Sequence, residues 1–160
     1  MKKLNSDAVK IIPLGGLEQI GMNITAIEYE DSIIVIDCGL AFPEDDMLGI
    51  DLVIPDVTYL KENADKVKGL VVTHGHEDHI GAIPYIEKGL NMPIYATKLT
   101  MGLIENKLKE HNLMNNTRRK VVKYGQNIIL GKFRIEFIKT NHSIADSAAL
   151  AIYTPAGLLV

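Results

Sequence analysis

Three histidines and two carboxylates lie within the six residues 74–79, directly after a short apolar run at residues 70–72. Imidazole and carboxylate groups that leave water at the end of a strand are unfavourable unless their lone pairs are satisfied, and a divalent cation satisfies them well. A mixture of histidine nitrogen and aspartate oxygen suits zinc, manganese or iron. The segment therefore predicts a metal centre with four candidate ligands, namely His74, His76, Asp78 and His79.

The spacing of these ligands leaves room for two adjacent cations. In an extended turn, His74 and His76 can point to the same side of the chain, while Asp78 and His79 follow where the chain turns into a helix. One cation would take the first pair and a neighbouring cation the second pair, as two-metal hydrolytic sites require. Asp78 and His79 are therefore catalytic as well as metal-binding candidates.

A remote histidine, His142, follows a predicted strand at residues 133–138 and is a further candidate ligand of the first metal. A single histidine at a strand end is more often a hydrogen-bonded surface residue. Four of the five histidines of the chain are His74, His76, His79 and His142, and this concentration disfavours the alternative of merely solvated side chains in a polar loop.

The elements that must position these ligands follow from apolar periodicity. Short strands are predicted first at residues 9–14, 24–29, 33–36, 70–72 and 94–96 and then at 121–122, 128–130, 133–138, 148–153 and 158–160. Helical spacing occurs at residues 59–68, 80–88 and 99–111, and most of residues 40–55 is expected to be an ordered loop. This order predicts an α/β or α+β layered sandwich.

Composition favours one domain in a reducing compartment. The 160 residues are 47% hydrophobic and carry a net charge of −3, which offers no general attraction to phosphate backbones or anionic membranes. Residues 1–7 lack the apolar core of a secretory signal, no run is long enough to span a membrane, and Cys38 is the lone cysteine. A cytoplasmic location is expected.

The apolar end at residues 157–160 suggests a piece of a longer protein.

Several motifs resemble those of a known family. Residues 74–79 match the H-x-H-x-D-H signature of the metallo-β-lactamase superfamily, and residues 36–39 resemble its earlier aspartate motif. Within that superfamily, the chain is similar to the ribonuclease J family of β-CASP ribonucleases. The segments that carry this similarity are residues 13–23, 42–51, 55–60 and 141–147.

The resemblance implies the N-terminal portion of a four-layer αββα sandwich. Residues 1–160 would form the first part of a metallo-β-lactamase domain, before the rest of that domain and its β-CASP insert. By resemblance, His74, His76 and His142 bind one metal, Asp78 and His79 bind the other, and Asp37 steadies the ligand loop. The family also uses a bridging aspartate and a further histidine from later segments. The chain by itself is therefore expected to be inactive.

The function implied by the resemblance is hydrolysis of RNA phosphodiesters by a metal-activated hydroxide, with 5′-to-3′ exonuclease and some endonuclease activity in RNA processing and decay. The implied cofactors are two zinc ions per full-length subunit, with manganese as an alternative. The implied partners are RNA, further copies of the protein in a homodimer or tetramer, and an RNA-degrading complex. Association with a membrane is not expected.

Alternative functions remain open at this level. The signature sets the metals and not the substrate, so a thioester or lactone hydrolase of the glyoxalase II type is an alternative, as is a non-catalytic metal-binding assembly domain. The acidic loop could hold calcium through Glu44, Asp45, Asp46 and Asp51, although its spacing departs from an EF-hand. A basic run could touch RNA phosphate but is more typical of a solvated face, and it comprises Arg118, Arg119, Lys120 and Lys123.

Overall fold

A computed structural model of the protein describes residues 8–160, so the opening residues 1–7, used above to argue against a secretory signal, lie outside the described residues. The first sheet contains six strands in the order of the sequence. They are β1 (Lys10–Gly15), β2 (Ile24–Tyr29), β3 (Ser32–Ile36), β4 (Val67–Val71), β5 (Ile94–Ala96) and β6 (Arg119–Val121).

Strand direction changes within this sheet. The first three strands run antiparallel, and a two-residue turn at Glu30 and Asp31 joins β2 to β3 as a hairpin. From β3 to β6 the neighbours are parallel. The carboxyl ends of β3 and β4 therefore meet at one edge of the sheet, and that edge carries Asp37 and the ligand segment after Val71.

The second sheet is antiparallel throughout. Its strands are β7 (Asn127–Leu130), β8 (Phe133–Lys139), β9 (Ala148–Thr154) and β10 (Gly157–Leu159), in the spatial order β10-β9-β8-β7. The alternating burial of β8, with Phe133, Ile135 and Phe137 inside, shows that one face of this sheet is packed against the core.

Four helices pack on the side of the first sheet away from the second. They are α1 (Thr58–Glu62), α2 (Glu77–Ile80), α3 (Ile83–Leu90) and α4 (Lys98–Glu110). Because side chains alternate along β3, Ile33 and Val35 meet the helices, whereas Ile34 joins Phe133 and Ile135 between the two sheets. The described residues thus form helix, sheet and sheet layers. This confirms the α+β sandwich and supplies three layers of the expected αββα arrangement.

Two predicted helices have different bounds. The helix expected at residues 59–68 ends at Glu62, because Val67 already pairs with Ile33 as the start of β4. The helix expected at residues 80–88 is divided into α2 and α3. The N–H of Ala82 donates to the carbonyl of Cys38 (3.0 Å) instead of the preceding helical turn, and Pro84 has no N–H to offer.

The loop at residues 40–55 is irregular, as expected, and one isolated bridge between Ala41 and Val53 closes it. Among residues 8–160, the longest helix is α4 with 13 residues, and none of the helices has the length and apolar character that crossing a bilayer requires.

Candidate metal centre

Three imidazoles converge at the edge where β4 ends. His74 and His76 lie in the turn between β4 and α2, and His142 lies in the loop between β8 and β9. One nitrogen from each ring lies within 4.8 Å of the others, and the Nε2 atoms of His74 and His142 are 3.1 Å apart. His142 therefore joins the two histidines of the local motif across 68 residues of sequence.

A backbone contact between the sheets brings the two loops together. The N–H of Ala148, the first residue of β9, donates to the carbonyl of Thr73 (2.9 Å), which immediately precedes His74. The second sheet is thus tied to the turn that carries the first two candidate ligands. This contact places the loop before β9, and with it His142, above the end of β4.

Hydrogen bonding decides which nitrogen of His74 is free. The Thr73 hydroxyl donates to Oδ2 of Asp37 (2.8 Å), since an ionised carboxylate only accepts. Its single hydrogen is thereby used, so its oxygen accepts from Nδ1 of His74 (2.9 Å). The proton of neutral His74 consequently sits on Nδ1, and the lone pair on Nε2 points toward His142.

The electrostatics of His74 suit a metal ligand. Burial, followed by the proximity of His79, lowers the pKa of His74 to about 4, so the ring is neutral near pH 7. Its free Nε2 lies close to two other imidazoles, and a divalent cation can satisfy such a set of converging lone pairs. The three histidines therefore fit one metal ion by donor type and by convergence.

Asp37 organises the neighbouring candidate ligands. It is buried, adopts the left-handed backbone conformation with φ 58°, and accepts the N–H of Thr73 at 2.8 Å in addition to the Thr73 hydroxyl. Its Oδ2 also accepts from Nδ1 of His79 at 2.7 Å. Burial acts to lower the pKa of His79, but the hydrogen bond and charge of Asp37 outweigh it and raise that pKa. Asp37 thus supports two histidines without facing the cluster centre itself.

Asp78 and His79 form a second, smaller group of donors. Oδ2 of Asp78 lies 3.4 Å from Nε2 of His79, the nitrogen that Asp37 leaves free. The side-chain amide of Asn23 donates to Oδ2 of Asp78 (3.0 Å) and approaches Nε2 of His79 (3.3 Å). Two donors are too few to hold a cation tightly.

The backbone around this pair is closely packed. The N–H of Asn23 donates to the carbonyl of Asp78 (3.0 Å), and the N–H of Cys38 donates to the carbonyl of His79 (2.8 Å). A Cβ atom on Gly39 would lie 1.6 Å from the carbonyl oxygen of Asp78. Glycine at position 39 is therefore required for the chain after β3 to approach the ligand turn this closely.

Other residues weighed from the sequence do not belong to the converging histidine group. Within residues 8–160, the three histidines are the one group of at least three His, Cys, Asp or Glu side chains that converges on a single point, so the acidic loop forms no calcium site of this kind. Cys38 is fully buried. In the basic run, Arg119 pairs with Glu105 at 3.3 Å.

Sequence reasoning missed two polar residues of the centre. Thr73 and Asn23 contact the candidate ligands directly, yet neither is itself a candidate ligand and neither belongs to the H-x-H-x-D-H pattern. The only local signal for Thr73 was a hydroxyl residue between a buried strand and the first histidine. Asn23 carried no local signal, because its partners lie 55 and 56 residues away.

The chain is similar to known proteins in sequence and in fold. The family model of the metallo-beta-lactamase superfamily matches residues 20–146. Ribonuclease J from Synechocystis sp. is 50% identical over 161 residues, which cover 99% of this chain and 25% of that protein. Ribonuclease J from Helicobacter pylori is 50% identical over 98% of this chain and 23% of its own length. Ribonuclease J 2 from Staphylococcus aureus is 44% identical over 100% of this chain and 28% of its own length.

The chain thus spans about a quarter of the length of these curated relatives. Two solved structures share the fold at low identity. A protein of unknown function from Enterococcus faecalis V583 superposes with a TM-score of 0.68 at 19% identity, covering 94% of this chain and 42% of that chain. The metallo-beta-lactamase fold protein YhfI from Bacillus subtilis superposes with a TM-score of 0.59 at 17% identity, covering 90% of this chain and 57% of that chain.

Proposed function

This chain belongs to the metallo-β-lactamase superfamily, and on that premise we propose that it is the metal-binding core of a metal-dependent ribonuclease. The observation that carries the proposal is the similarity of nearly the whole chain, at 44–50% identity, to proteins named ribonuclease J, including the ligand segment and the loop of His142. Fold likeness alone would not specify a substrate.

The proposed metal ligands are those predicted from the sequence. His74, His76 and His142 hold the first cation, Asp78 and His79 contribute to a second, and Asp37 orients both groups. Divalent cations bound there would supply Lewis acidity toward a water molecule and toward the oxygens of a phosphodiester. Zinc is the proposed metal, with two ions per full-length subunit and manganese as the alternative.

The residues of this chain prepare the site for those cations. Asp37 keeps the proton of neutral His79 on Nδ1 directly, and it does the same for neutral His74 through Thr73. In these neutral rings both Nε2 atoms are available to a metal, which would compete with a second proton for Nε2 of His79. Asn23 holds the carboxylate of Asp78 beside His79. The low pKa of His74 keeps it unprotonated near pH 7. This prearrangement limits the reorganisation that metal binding would need.

The remaining features of the proposal follow from the resemblance. Residues 1–160 are placed in the N-terminal part of a metallo-β-lactamase domain that continues into a β-CASP insert. The full-length protein is proposed to degrade RNA from the 5′ end and to cut internally, as a cytoplasmic homodimer or tetramer associated with RNA decay. Inactivity of the isolated 160 residues stays a prediction.

The experiment compares RNA cleavage by the full-length protein with that by its His76→Ala and His111→Ala variants. His111 caps the C-terminal end of α4, does not belong to the converging histidine group and serves as the matched control. Substrates are 5′-monophosphorylated RNA and a glutathione thioester, and metal content is measured in parallel. We expect RNA cleavage to fall at least ~100-fold in His76→Ala together with metal loss, since even residues that merely support ligands cost 10–100-fold.

The His111 variant should keep both activity and metal. Full RNA cleavage by His76→Ala would overturn the assignment. Hydrolysis of the thioester without RNA cleavage would support the glyoxalase-like alternative, and metal binding with neither reaction would support a non-catalytic assembly domain.

A further inference from the structure

The imidazole of His142 has little packing of its own. It is exposed, as are its neighbours Asn141 and Ser143, in the loop of residues 140–147 between β8 and β9. An exposed side chain on a loop loses rotational and backbone freedom when it binds a metal, and that loss weakens binding. The position of His142 beside His74 therefore depends on how the rest of its loop is held.

Asp146 anchors this loop through three contacts. Its Oδ2 accepts the N–H of Leu99 (2.8 Å), and its Oδ1 accepts the hydroxyl of Tyr124 (3.0 Å). Its carbonyl oxygen accepts the hydroxyl of Thr97 (2.7 Å). Asp146 itself adopts the left-handed conformation with φ 65°, which aspartate tolerates better than most residues. One residue thus joins the His142 loop to α4 and to the segment before β7.

The contact with Leu99 replaces a helix cap. Thr97 occupies the N-cap position of α4 but its side chain makes no capping bond, and its hydroxyl is used on Asp146 instead. The carboxylate of Asp146 accepts one of the free N–H groups of the first turn, and a negative charge there is favourable near the helix N-terminus. The start of α4 and the His142 loop therefore stabilise one another.

Apolar packing links the same helix to the other ligands. A Cβ on Gly75, between His74 and His76, would lie 2.4 Å from Cδ1 of Leu103 on α4 and 3.6 Å from Cδ1 of Ile144 in the His142 loop. Helix α4, the loop and the ligand turn thus meet at Gly75. A shift of the loop relative to α4 would change the approach of His142 to the other two histidines.

We propose that Asp146 is a positioning residue that fixes the His142 loop on the start of α4 and thereby sets the metal affinity of the three-histidine site. The inference rests on the proposed function only in requiring that His142 be a metal ligand. Asp146 itself does not belong to the converging group of histidines, so it acts through His142.

The test is a double-mutant cycle in the full-length protein with Asp146→Ala, His142→Ala and the combined variant. Zn²⁺ affinity is measured by competition with a chromogenic chelator, and folding by circular dichroism. We expect Asp146→Ala to lower Zn²⁺ affinity roughly 10–100-fold, the range found for residues that orient metal ligands. In the His142→Ala background the same change should have almost no further effect, because its route to the metal is gone.

Two milder variants keep the test decisive if Asp146→Ala folds poorly. Asp146→Asn retains one acceptor oxygen and should restore part of the affinity. Tyr124→Phe removes the hydroxyl that reaches Oδ1 of Asp146 (3.0 Å) and the carbonyl of Ser147 (3.1 Å) but leaves the contacts of Asp146 with Leu99 and Thr97. It should give a smaller loss that also disappears in the His142→Ala background. If Asp146 acted only on general stability, Asp146→Ala would lower the melting temperature equally in the wild-type and His142→Ala backgrounds. The losses of Zn²⁺ affinity caused by the two substitutions would then be additive.

The possible failures are distinguishable. If His142→Ala leaves Zn²⁺ affinity unchanged, the proposed ligand set is wrong. If His142→Ala lowers affinity while folded Asp146→Ala and Tyr124→Phe bind Zn²⁺ as the wild type does, or if their effects add fully to that of His142→Ala, only the role of Asp146 is overturned.

Discussion

The carboxylate of Asp37 lies 2.7 Å from Nδ1 of His79, and the same oxygen accepts the hydroxyl of Thr73 at 2.8 Å. One buried carboxylate therefore sets the tautomer of His79 directly and that of His74 through Thr73. In the neutral form of each imidazole, the Nε2 lone pair is then free for a metal. The two groups of candidate ligands are thus coupled by a residue that belongs to neither.

Replacing Asp37 by asparagine should weaken metal binding in both groups. Asparagine tolerates the left-handed conformation of this position, so the backbone can persist, but its amide lacks the charge that orients the His79 N–H. We expect metal affinity to fall roughly 10–100-fold, measured by chelator competition. Unchanged affinity in a folded Asp37→Asn variant would show that the histidines orient themselves.

Replacing Thr73 by valine tests the indirect half of this arrangement. Valine keeps the β-branched shape but removes the hydroxyl that accepts from His74 and donates to Asp37. We expect about a 10-fold loss of metal affinity, at the lower end for such supporting residues. Thr73→Ser keeps the hydroxyl and is the matched control. Equal losses in both variants would attribute the effect to packing rather than to the hydrogen bond.

Replacing Gly39 by alanine should disrupt the approach of the chain after β3 to the ligand turn. The new Cβ would lie 1.6 Å from the carbonyl oxygen of Asp78, so the backbone must move. We expect destabilisation by ~2 kcal/mol or more, together with loss of metal binding. Thermal denaturation and metal analysis check this.

The control for Gly39 is Gly102, in the interior of α4, where an added Cβ meets nothing within 4 Å. Gly102→Ala should stabilise the protein by about 0.5–1 kcal/mol, because alanine loses less conformational freedom than glycine in a helix. A Gly39→Ala variant as stable as the Gly102→Ala variant would contradict the close approach seen in the structure.

Glu87 on α3 should make stability depend on pH. It is 4% exposed, its Oε1 accepts the N–H of Met92 (3.1 Å), and its Oε2 has no hydrogen-bond partner among residues 8–160. Burial raises the pKa of Glu87 from 4.5 to about 7, against the weaker opposing effect of the Met92 N–H. The folded state therefore holds a proton that the unfolded chain releases at lower pH.

The sign of the effect follows from this difference. Stability from Glu87 is fully present below pH 4.5 and is lost as pH rises to about 7, on the order of 3 kcal/mol in all. Glu87→Gln keeps an acceptor for Met92 and cannot ionise. Its unfolding free energy, from denaturant titrations between pH 4.5 and 8, should exceed that of the wild type increasingly as pH rises. A constant difference across that range would refute the raised pKa.

Sequence periodicity predicted most of the elements that position the site. Strands β2 and β5 have the predicted bounds, and α4 differs from its prediction by one residue at each end. The predicted element bounds were wrong where a tertiary contact overrode the local sequence pattern. The helical spacing of apolar residues in 59–68 includes Val67. Pairing with Ile33, however, makes Val67 the first residue of strand β4. Burial in a sheet outweighs weak helix propensity.

The amino-acid sequence by itself determined the types of the candidate ligands and the local half of the candidate metal centre, because His74, His76, Asp78 and His79 are close enough in the chain to meet in one turn. Only the tertiary structure decided the long-range half. The pairing of Asp37 with His79 spans 42 residues, and the anchoring of the His142 loop on Leu99 spans 47. Such contacts depend on which strand ends share an edge and how the loops between them pack, and these are properties of the folded layers that no local spacing encodes.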